Sequence, residues 1–271
     1  MLAERWSENY WVDGEITMSI PKVIHYCWFG GKPLPLSAQK CVRSWEKYCS
    51  DYQFVLWNEE NFPVNCNVYC AQMFAEKRWA FLSDYARLKI IYEHGGIYLD
   101  TDVQLLKPLD DLLGMPFLGM ETTRQVATGL GFGAPAGQPF LKENMAYYER
   151  LTAPVQPRAC PLITTELLAA YGLDVSSDQI QMVDGFAVYP PEYFCPKDER
   201  SGLLHKTKHT YSIHHFDASW FEASWKAGQE KRWKEARMDY IRHIPNRAAM
   251  KLLGNSRYQT LKQKLKREKD R

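Results

Sequence analysis

Short apolar runs alternate with segments of helical spacing through the N-terminal part of the chain. The runs predict buried strands, because each is rich in β-branched and aromatic residues and ends at glycine or at polar residues. The helical segments carry their apolar residues three and four positions apart. These patterns predict strands over 23–29, 52–58 and 97–103, and helices over 36–49 and 79–94. Strands that alternate with helices predict an α/β fold with a doubly wound sheet.

The pattern is less regular beyond Pro108. It predicts strands over 116–121, 128–135 and 211–216, and helices over 138–151 and 161–171. From Ser219 onward the spacing is helical, with breaks at Pro245 and Gly254. We therefore expect an N-terminal extension over 1–18, one main domain over 19–228 and a helical tail over 229–271.

The charge of the chain is unevenly distributed. The whole sequence carries a net charge of only +2, which argues against a dedicated nucleic-acid-binding protein. The segment from Glu230 to Arg271 alone carries +9, so the rest of the chain is mildly acidic at −7. Residues 250–271 alternate basic and apolar positions on a helical period, which suits an anionic membrane surface. The alternative is a solvated terminus.

The seven cysteines lack the paired spacing of a zinc site. An odd number of cysteines without a disulfide framework is typical of reduced thiols in a cytoplasmic protein. No apolar run approaches the roughly 20 residues that a membrane-spanning helix needs. We therefore expect a cytoplasmic protein, either free or peripheral at the inner face of the cell membrane.

Two aspartates, Asp100 and Asp102, stand at the end of the predicted strand 97–103. In a strand they would point to one face, roughly 7 Å apart at Cα. Buried carboxylates are costly unless something pairs with them, and Mg²⁺ or Mn²⁺ prefers such oxygen ligands. The sequence therefore indicates a site for one divalent cation. The alternative is a turn in which the aspartates cap backbone amides.

A charged pair lies on the helix that precedes this strand. Asp84 and Arg87 are three residues apart, so they share a helix face. Such pairs are usually surface ion pairs. The flanks of this helix are strongly apolar, however, and a charged pair on a mostly buried helix points to a specific role.

Three segments together resemble family 32 glycosyltransferases: IPKVIHYCWFGGKPLP, LSDYARLKIIYEHGGIYLDTDV and IHHFDASW. This family includes bacterial capsule and lipopolysaccharide enzymes and yeast mannosyltransferases, and it is distantly similar to the catalytic domains of clostridial toxins. The resemblance runs from about Ile20 to Trp220. It implies a GT-A fold that binds a nucleotide-sugar and a divalent metal, Mn²⁺ or Mg²⁺.

The resemblance also implies roles for individual residues. Asp102 would ligate the metal directly, and Asp100 would contact the ribose or donor sugar and also touch the metal. Asp84 and Arg87 would hold the hydroxyls of the donor sugar. These four are the expected catalytic residues. Two aromatic residues join them in the expected donor site: Tyr98, and Trp28 against the nucleotide base, with a core tryptophan as the alternative for Trp28.

The late motif HHFDASW completes the implied site. His215 is the favoured third metal ligand and His214 the second choice, since neighbours on a strand face opposite ways. Ser219 and Trp220 would lie against the diphosphate. The sequence departs from the pattern of the family at Cys160, the residue before Pro161, where many relatives carry a glycine.

The function implied is retaining transfer of a hexose in bacterial surface polysaccharide synthesis, that is, of capsule or lipopolysaccharide. The expected donor is a UDP-hexose, with GDP-mannose next, and the acceptor is a glycan or a lipid-linked saccharide. Two alternatives are a metal-dependent nucleotide-sugar hydrolase and an inactive sugar-nucleotide binder. A hydrolase would need more carboxylate and histidine ligands, as in two-metal sites. An inactive binder is disfavoured because the charged residues Asp84, Arg87, Asp100 and Asp102 are all present.

Overall fold

The computed structural model describes residues 11–12, 15–16, 19–217, 223–243 and 254. Within them, eleven strands form one large sheet and two small ones. The strands are β1 (Trp11–Val12), β2 (Glu15–Ile16), β3 (Val23–Cys27), β4 (Gln53–Trp57), β5 (Gly96–Tyr98), β6 (Val103–Leu105), β7 (Phe117–Gly119), β8 (Phe132–Ala134), β9 (Gln181–Val183), β10 (Phe186–Tyr189) and β11 (Ser212–His214). The helices are α1 (Leu36–Tyr48), α2 (Val68–Ala75), α3 (Trp79–His94), α4 (Pro139–Glu149), α5 (Cys160–Ala170), α6 (Pro191–Phe194) and α7 (Ala223–Arg242).

The central sheet has seven strands in the order β4-β3-β5-β8-β7-β10-β9. β3 runs parallel to both β4 and β5, whereas β8 is antiparallel to β5 and β7. β10 is parallel to β7 and antiparallel to β9. This mixed sheet, with helices packed against it, confirms the predicted α/β fold.

Apolar residues pack on both faces of the sheet, as a doubly wound fold requires. One face is covered by residues of α2, α3, α4 and α5, and the other by residues of α1, α6 and the β6–β11 pair. On the second face Trp45 is fully buried, and its indole N–H donates to the carbonyl of Val103 at 2.7 Å. This bond ties α1 to the start of β6, next to the aspartates.

The predicted strand over 97–103 is wrong. The chain leaves the sheet after Tyr98, turns at Thr101 and Asp102, and forms the separate strand β6, which pairs with β11. A continuous strand would bury the carboxylates in the sheet, while a turn leaves them at its edge. Helix α2, in a stretch that the sequence pattern left without an element, is capped by Asn67, whose side chain accepts from the amide of Cys70.

The chain divides into two compact units. The first comprises Met1–Asp198 and Leu204–Phe221, and the second comprises Glu199–Leu203 and Glu222–Arg271. Helix α7 agrees with the helical pattern expected for the tail, and the remainder of that tail lies outside the described residues apart from Gly254. Among the helices described, none is long and apolar enough to cross a membrane.

Candidate active site

Helix α3 carries a buried arginine at the centre of the site. Arg87 is only 4% exposed, and its Nε and Nη2 donate to the carbonyl and hydroxyl of Ser83 at 3.0 and 2.9 Å. The same Nη2 lies 3.3 Å from Asp84 and 3.1 Å from Asp100. The guanidinium also stacks over the ring of Tyr98, 4.9 Å from its centroid. Arg87 therefore links α3 to the aspartate turn.

Asp100 and Asp102 lie on the turn between β5 and β6. Asp100 accepts a hydrogen bond from the hydroxyl of Tyr98 at 3.0 Å, and its amide donates to the carbonyl of Gly129 at 3.1 Å. The turn closes with a bond of 3.0 Å from the amide of Val103 to the carbonyl of Asp100. The carboxylate of Asp100 is thus fixed from two sides.

The pairing of β11 with β6 brings a histidine to the aspartates. The Nε2 atom of His214 lies 3.1 Å from Oδ1 of Asp102. One ligating atom from each of Asp100, Asp102 and His214 can be chosen so that all lie within 4.8 Å of one another. The structure thus places His214, the second choice from the sequence, beside the aspartates, whereas the Nε2 atom of the favoured His215 lies 2.9 Å from Oε1 of Gln104. The two rings point apart, as neighbouring residues on a strand do.

The segment after β11 folds back over Asp102. Phe216 has a φ of +56°, a left-handed conformation that costs energy for a bulky residue. This bend allows the amide of Asp217 to donate to Oδ2 of Asp102 at 2.9 Å. Both carboxylate oxygens of Asp102 consequently have a partner, one from His214 and one from the backbone.

A glycine makes room for this arrangement. A Cβ atom on Gly129 would lie 2.1 Å from Oδ2 of Asp100 and 2.8 Å from Nη1 of Arg87. The φ of Gly129 is not in the left-handed region, so space rather than backbone conformation requires glycine here. Gly129 was not among the site residues predicted from the sequence. The signal available was the glycine-rich run 129–137.

Burial and the neighbouring charges set the ionisation of the site. Burial raises the pKa of Asp84 to about 6 and also raises that of Asp100, and Arg87 opposes both shifts. Burial disfavours the charged forms of Asp102 and His214 as well, but their mutual attraction outweighs it. The pKa of Asp102 falls to about 2 and that of His214 rises to about 9. In the metal-free protein these two residues form an ion pair at neutral pH.

The donor set fits a hard divalent cation. Two carboxylates and one imidazole converge on one point, which is the chemistry that Mn²⁺ and Mg²⁺ accept. In addition, the Nδ1 atom of His214 is buried without a hydrogen-bond partner within the described part of the chain. An unsatisfied ring nitrogen at this position is consistent with a histidine that has a further ligand.

The structure places the other predicted residues in different surroundings. Tyr98 is buried beside Asp100 and Arg87. The indole of Trp28 is partly exposed and donates to the carbonyl of Lys32. Ser219 and Trp220 lie outside the described residues. Cys160 opens α5 at the site itself, where its thiol lies 3.4 Å from the hydroxyl of Thr128 and 4.0 Å from Nη1 of Arg87.

Comparison with known proteins identifies the region that holds most of these residues. Residues 35–118 match the family of the glycosyltransferase sugar-binding region containing the DXD motif. Residues 35–118 of this chain are therefore similar to a DXD-motif sugar-binding region. The match includes Asp84, Arg87, Asp100 and Asp102, and it confirms the resemblance to family 32 glycosyltransferases.

Two eukaryotic enzymes are similar to part of this chain. The chain is 29% identical over 141 residues to inositol phosphoceramide mannosyltransferase 3 of Schizosaccharomyces pombe, covering 49% of this chain and 38% of the relative. It is 33% identical over 99 residues to human alpha-1,4-N-acetylglucosaminyltransferase, covering 36% of this chain and 28% of that enzyme. The chain thus spans well under half the length of both relatives. The structure of PaToxG glycosyltransferase superposes with a TM-score of 0.44 at 18% identity, covering 56% of this chain and 70% of that one.

Proposed function

We propose that this chain transfers a hexose from a nucleotide-sugar to a glycan or a lipid-linked saccharide. The observation that carries the proposal is the convergence of Asp100, Asp102 and His214 beside the Asp84–Arg87 pair. A cation-binding set next to buried, oriented carboxylates suits a ligand that combines a diphosphate with sugar hydroxyls. The match of residues 35–118 to the DXD-motif sugar-binding region supports the same conclusion.

The side chains divide this work according to their contacts. The side chain of Asp100 is 27% exposed, so its carboxylate can accept a hydrogen bond from a hydroxyl of the donor sugar. Arg87 is occupied by Ser83, Asp84 and Asp100, so we assign it the positioning of both carboxylates rather than direct contact with the sugar. The side chain of Asp84 is only 12% exposed and lies 3.3 Å from Nη2 of Arg87, which leaves little of its carboxylate open to the sugar.

A divalent ion, Mn²⁺ or Mg²⁺, would be held by Asp100, Asp102 and His214 and would act as a Lewis acid toward the diphosphate leaving group. The ion pair with Asp102 keeps the imidazole of His214 protonated, so this ring would have to lose a proton for the metal ion to bind. The amide of Asp217 holds the second oxygen of Asp102, so that carboxylate keeps its orientation whether or not the ion is bound.

The finer points of the proposal concern stereochemistry, donor and acceptor. We propose retention at the anomeric carbon, a UDP-hexose as donor with GDP-mannose next, and a role in bacterial surface polysaccharide synthesis. The names of two relatives add mannose and N-acetylglucosamine as sugars to be tested. We also propose a cytoplasmic location with peripheral attachment to an anionic membrane through the basic tail, which the charge of +9 from Glu230 to Arg271 supports.

The decisive experiment measures nucleoside diphosphate release from UDP-hexoses, UDP-N-acetylglucosamine and GDP-mannose, with and without Mn²⁺. We expect one donor to be turned over, and we expect Asp102→Asn to abolish this turnover. Asp111→Asn, a change at an exposed aspartate, is the matched control and should behave as the wild type. NMR of the first sugar product reports its anomeric configuration, and inversion would contradict the proposed retention.

Two outcomes would favour the alternatives. Turnover that no saccharide acceptor accelerates, with free sugar as the only product, would indicate a hydrolase. Binding of UDP or GDP with Mn²⁺ in a thermal-shift assay, without turnover under any acceptor condition, would indicate an inactive binder. Neither binding nor turnover would overturn the transferase proposal.

A further inference from the structure

Helix α7 packs through one of its faces. Gln229 is 6% exposed, and the indole N–H of Trp233 donates to the carbonyl of Glu199 at 2.7 Å. A Cβ atom on Gly202 would lie 2.7 Å from the ring of Trp233, so this ring lies directly on the segment Glu199–Leu203. Gln229, Trp233 and Ala236 follow each other at helical spacing and define the packed face.

The opposite face of α7 exposes large apolar side chains. Met238 is 54% exposed and Ile241 is 58% exposed, and the two are three positions apart. On a helix with 3.6 residues per turn they share one side, roughly opposite Gln229 and Trp233. Exposed residues of this size are costly in water when they stand together. A partner that covers them would therefore be favoured.

Basic residues surround this apolar pair. Helical spacing places Lys231 and Lys234 one or two turns before Met238 and Ile241, and Arg242 directly after them, on the same side. Arg237 flanks this side, and all four side chains are exposed. We call these six residues the basic-apolar face of α7. Of the acids on α7, Glu230 and Glu235 lie at the borders of this face, each four residues from one of its lysines, whereas Asp239 projects to another side.

Cations around apolar residues indicate the type of partner. In a neutral protein groove the lysines and arginines would lose their hydration without gaining an opposite charge, which is unfavourable. An anionic bilayer meets both needs, because headgroup phosphates attract the cations while the acyl boundary accepts the apolar side chains. The sequence that follows α7 continues the same charge, with nine Lys or Arg against two acids from residue 244 to the end.

We propose that the basic-apolar face of α7 binds the surface of an anionic membrane, with Met238 and Ile241 inserted at the headgroup boundary. This inference names the contact surface of the membrane attachment proposed above. It uses none of the residues assigned to sugar transfer, so its failure and that of the transferase proposal are distinguishable.

The test is co-sedimentation of the full chain with phosphatidylcholine vesicles, with and without phosphatidylglycerol. We expect binding only to the anionic vesicles, and we expect Met238→Ser/Ile241→Ser to weaken that binding by at least about tenfold. Lys231→Gln and Lys234→Gln should each weaken it by about fivefold at low salt. Met182→Ser, at a 59% exposed methionine on β9 of the first unit, is the matched control and should leave binding unchanged.

Several results would overturn the proposal. Equal binding to neutral and anionic vesicles would exclude the role of charge. Full binding by Met238→Ser/Ile241→Ser would move the contact away from this face, into the segment that follows it. Retention on heparin without binding to vesicles would indicate a soluble polyanion instead. Far-UV circular dichroism confirms that each variant keeps its helix content, and donor turnover, measured separately, should remain at the wild-type level in all of them.

Discussion

The imidazole of His214 lies 3.1 Å from the carboxylate of Asp102, although the two residues belong to distant parts of the chain. The antiparallel register of β11 with β6, which sets His214 opposite Val103, creates this contact. The next residue, His215, points to Gln104. The pair of neighbouring histidines therefore provides a matched comparison within the protein itself.

We expect His214→Gln to weaken Mn²⁺ binding by more than about 100-fold, since even changes in the outer shell of a metal site cost 10- to 100-fold. His215→Gln should change Mn²⁺ affinity far less, because its ring is not directed at the carboxylates. Electron paramagnetic resonance titration of free Mn²⁺ measures both affinities. A larger loss in His215→Gln than in His214→Gln would restore the assignment favoured by the sequence.

The affinity for Mn²⁺ should rise with pH. The ion pair raises the pKa of His214 to about 9, so near pH 7 the metal must displace a proton from this ring. Affinity should increase by about tenfold per pH unit between pH 7 and 8 and level off above pH 9. Calorimetry in buffers of different ionisation enthalpy should detect about one proton released per metal bound at pH 7. The His214→Gln variant should release none from this position.

Gly129→Ala should impair the site without unfolding the protein. Its Cβ would lie 2.1 Å from Asp100, so the carboxylate must move away from Arg87. We expect Mn²⁺-dependent donor turnover to fall by at least about tenfold, the effect of an error of roughly 1 Å in positioning. Gly114→Ala is the matched control, because a Cβ there meets nothing within 4 Å. Equal turnover in the two variants would contradict the role assigned to Gly129.

Replacing Arg87 by lysine should cost both stability and turnover. Lysine keeps the charge, but its single ammonium group cannot reach Ser83, Asp84 and Asp100 in the geometry of the guanidinium. Because a buried charge would lose its partner, we expect a loss of about 3 kcal/mol in the free energy of unfolding, measured by urea denaturation. Arg158→Lys, in the exposed pair with Glu166, is the control and should change the free energy of unfolding far less than Arg87→Lys does.

The stability of the fold should decline in mild acid because of His25. Burial, assisted by the nearby His94, lowers the pKa of His25 to about 4, and its ring bonds to Trp57 and to the carbonyl of Gly95. A lowered pKa means that the unfolded chain binds the proton more readily. The stabilisation of the folded protein by neutral His25 is therefore complete above about pH 6.5 and is lost as pH falls toward 4.

The size of this effect follows from the same shift. We expect the wild type to lose about 3 kcal/mol relative to His25→Asn between pH 6.5 and 4, as measured by chemical denaturation at each pH. His205→Asn, at an exposed histidine, serves as the control and should follow the wild type. Parallel pH profiles for the wild type and His25→Asn would contradict the assignment.

The sequence by itself determined the α/β class, the buried helix α3 and the selection of Asp84, Arg87, Asp100 and Asp102 as candidate site residues. These depend on local information, because apolar periodicity specifies which faces are buried and a charged pair on a buried helix requires partners. The motifs around these residues were likewise sufficient to predict the family.

Only the tertiary structure decided how these residues meet. The alternation of side chains could not show that the chain leaves the sheet after Tyr98, since the turn depends on the pairing of β6 with β11 and on the bond from Trp45 to Val103. The choice of His214 over His215 depends on that strand register, because a shift of one residue would exchange the two rings. The need for glycine at position 129 arises from the space that Asp100 and Arg87 occupy, and no local pattern encodes a contact between such distant segments.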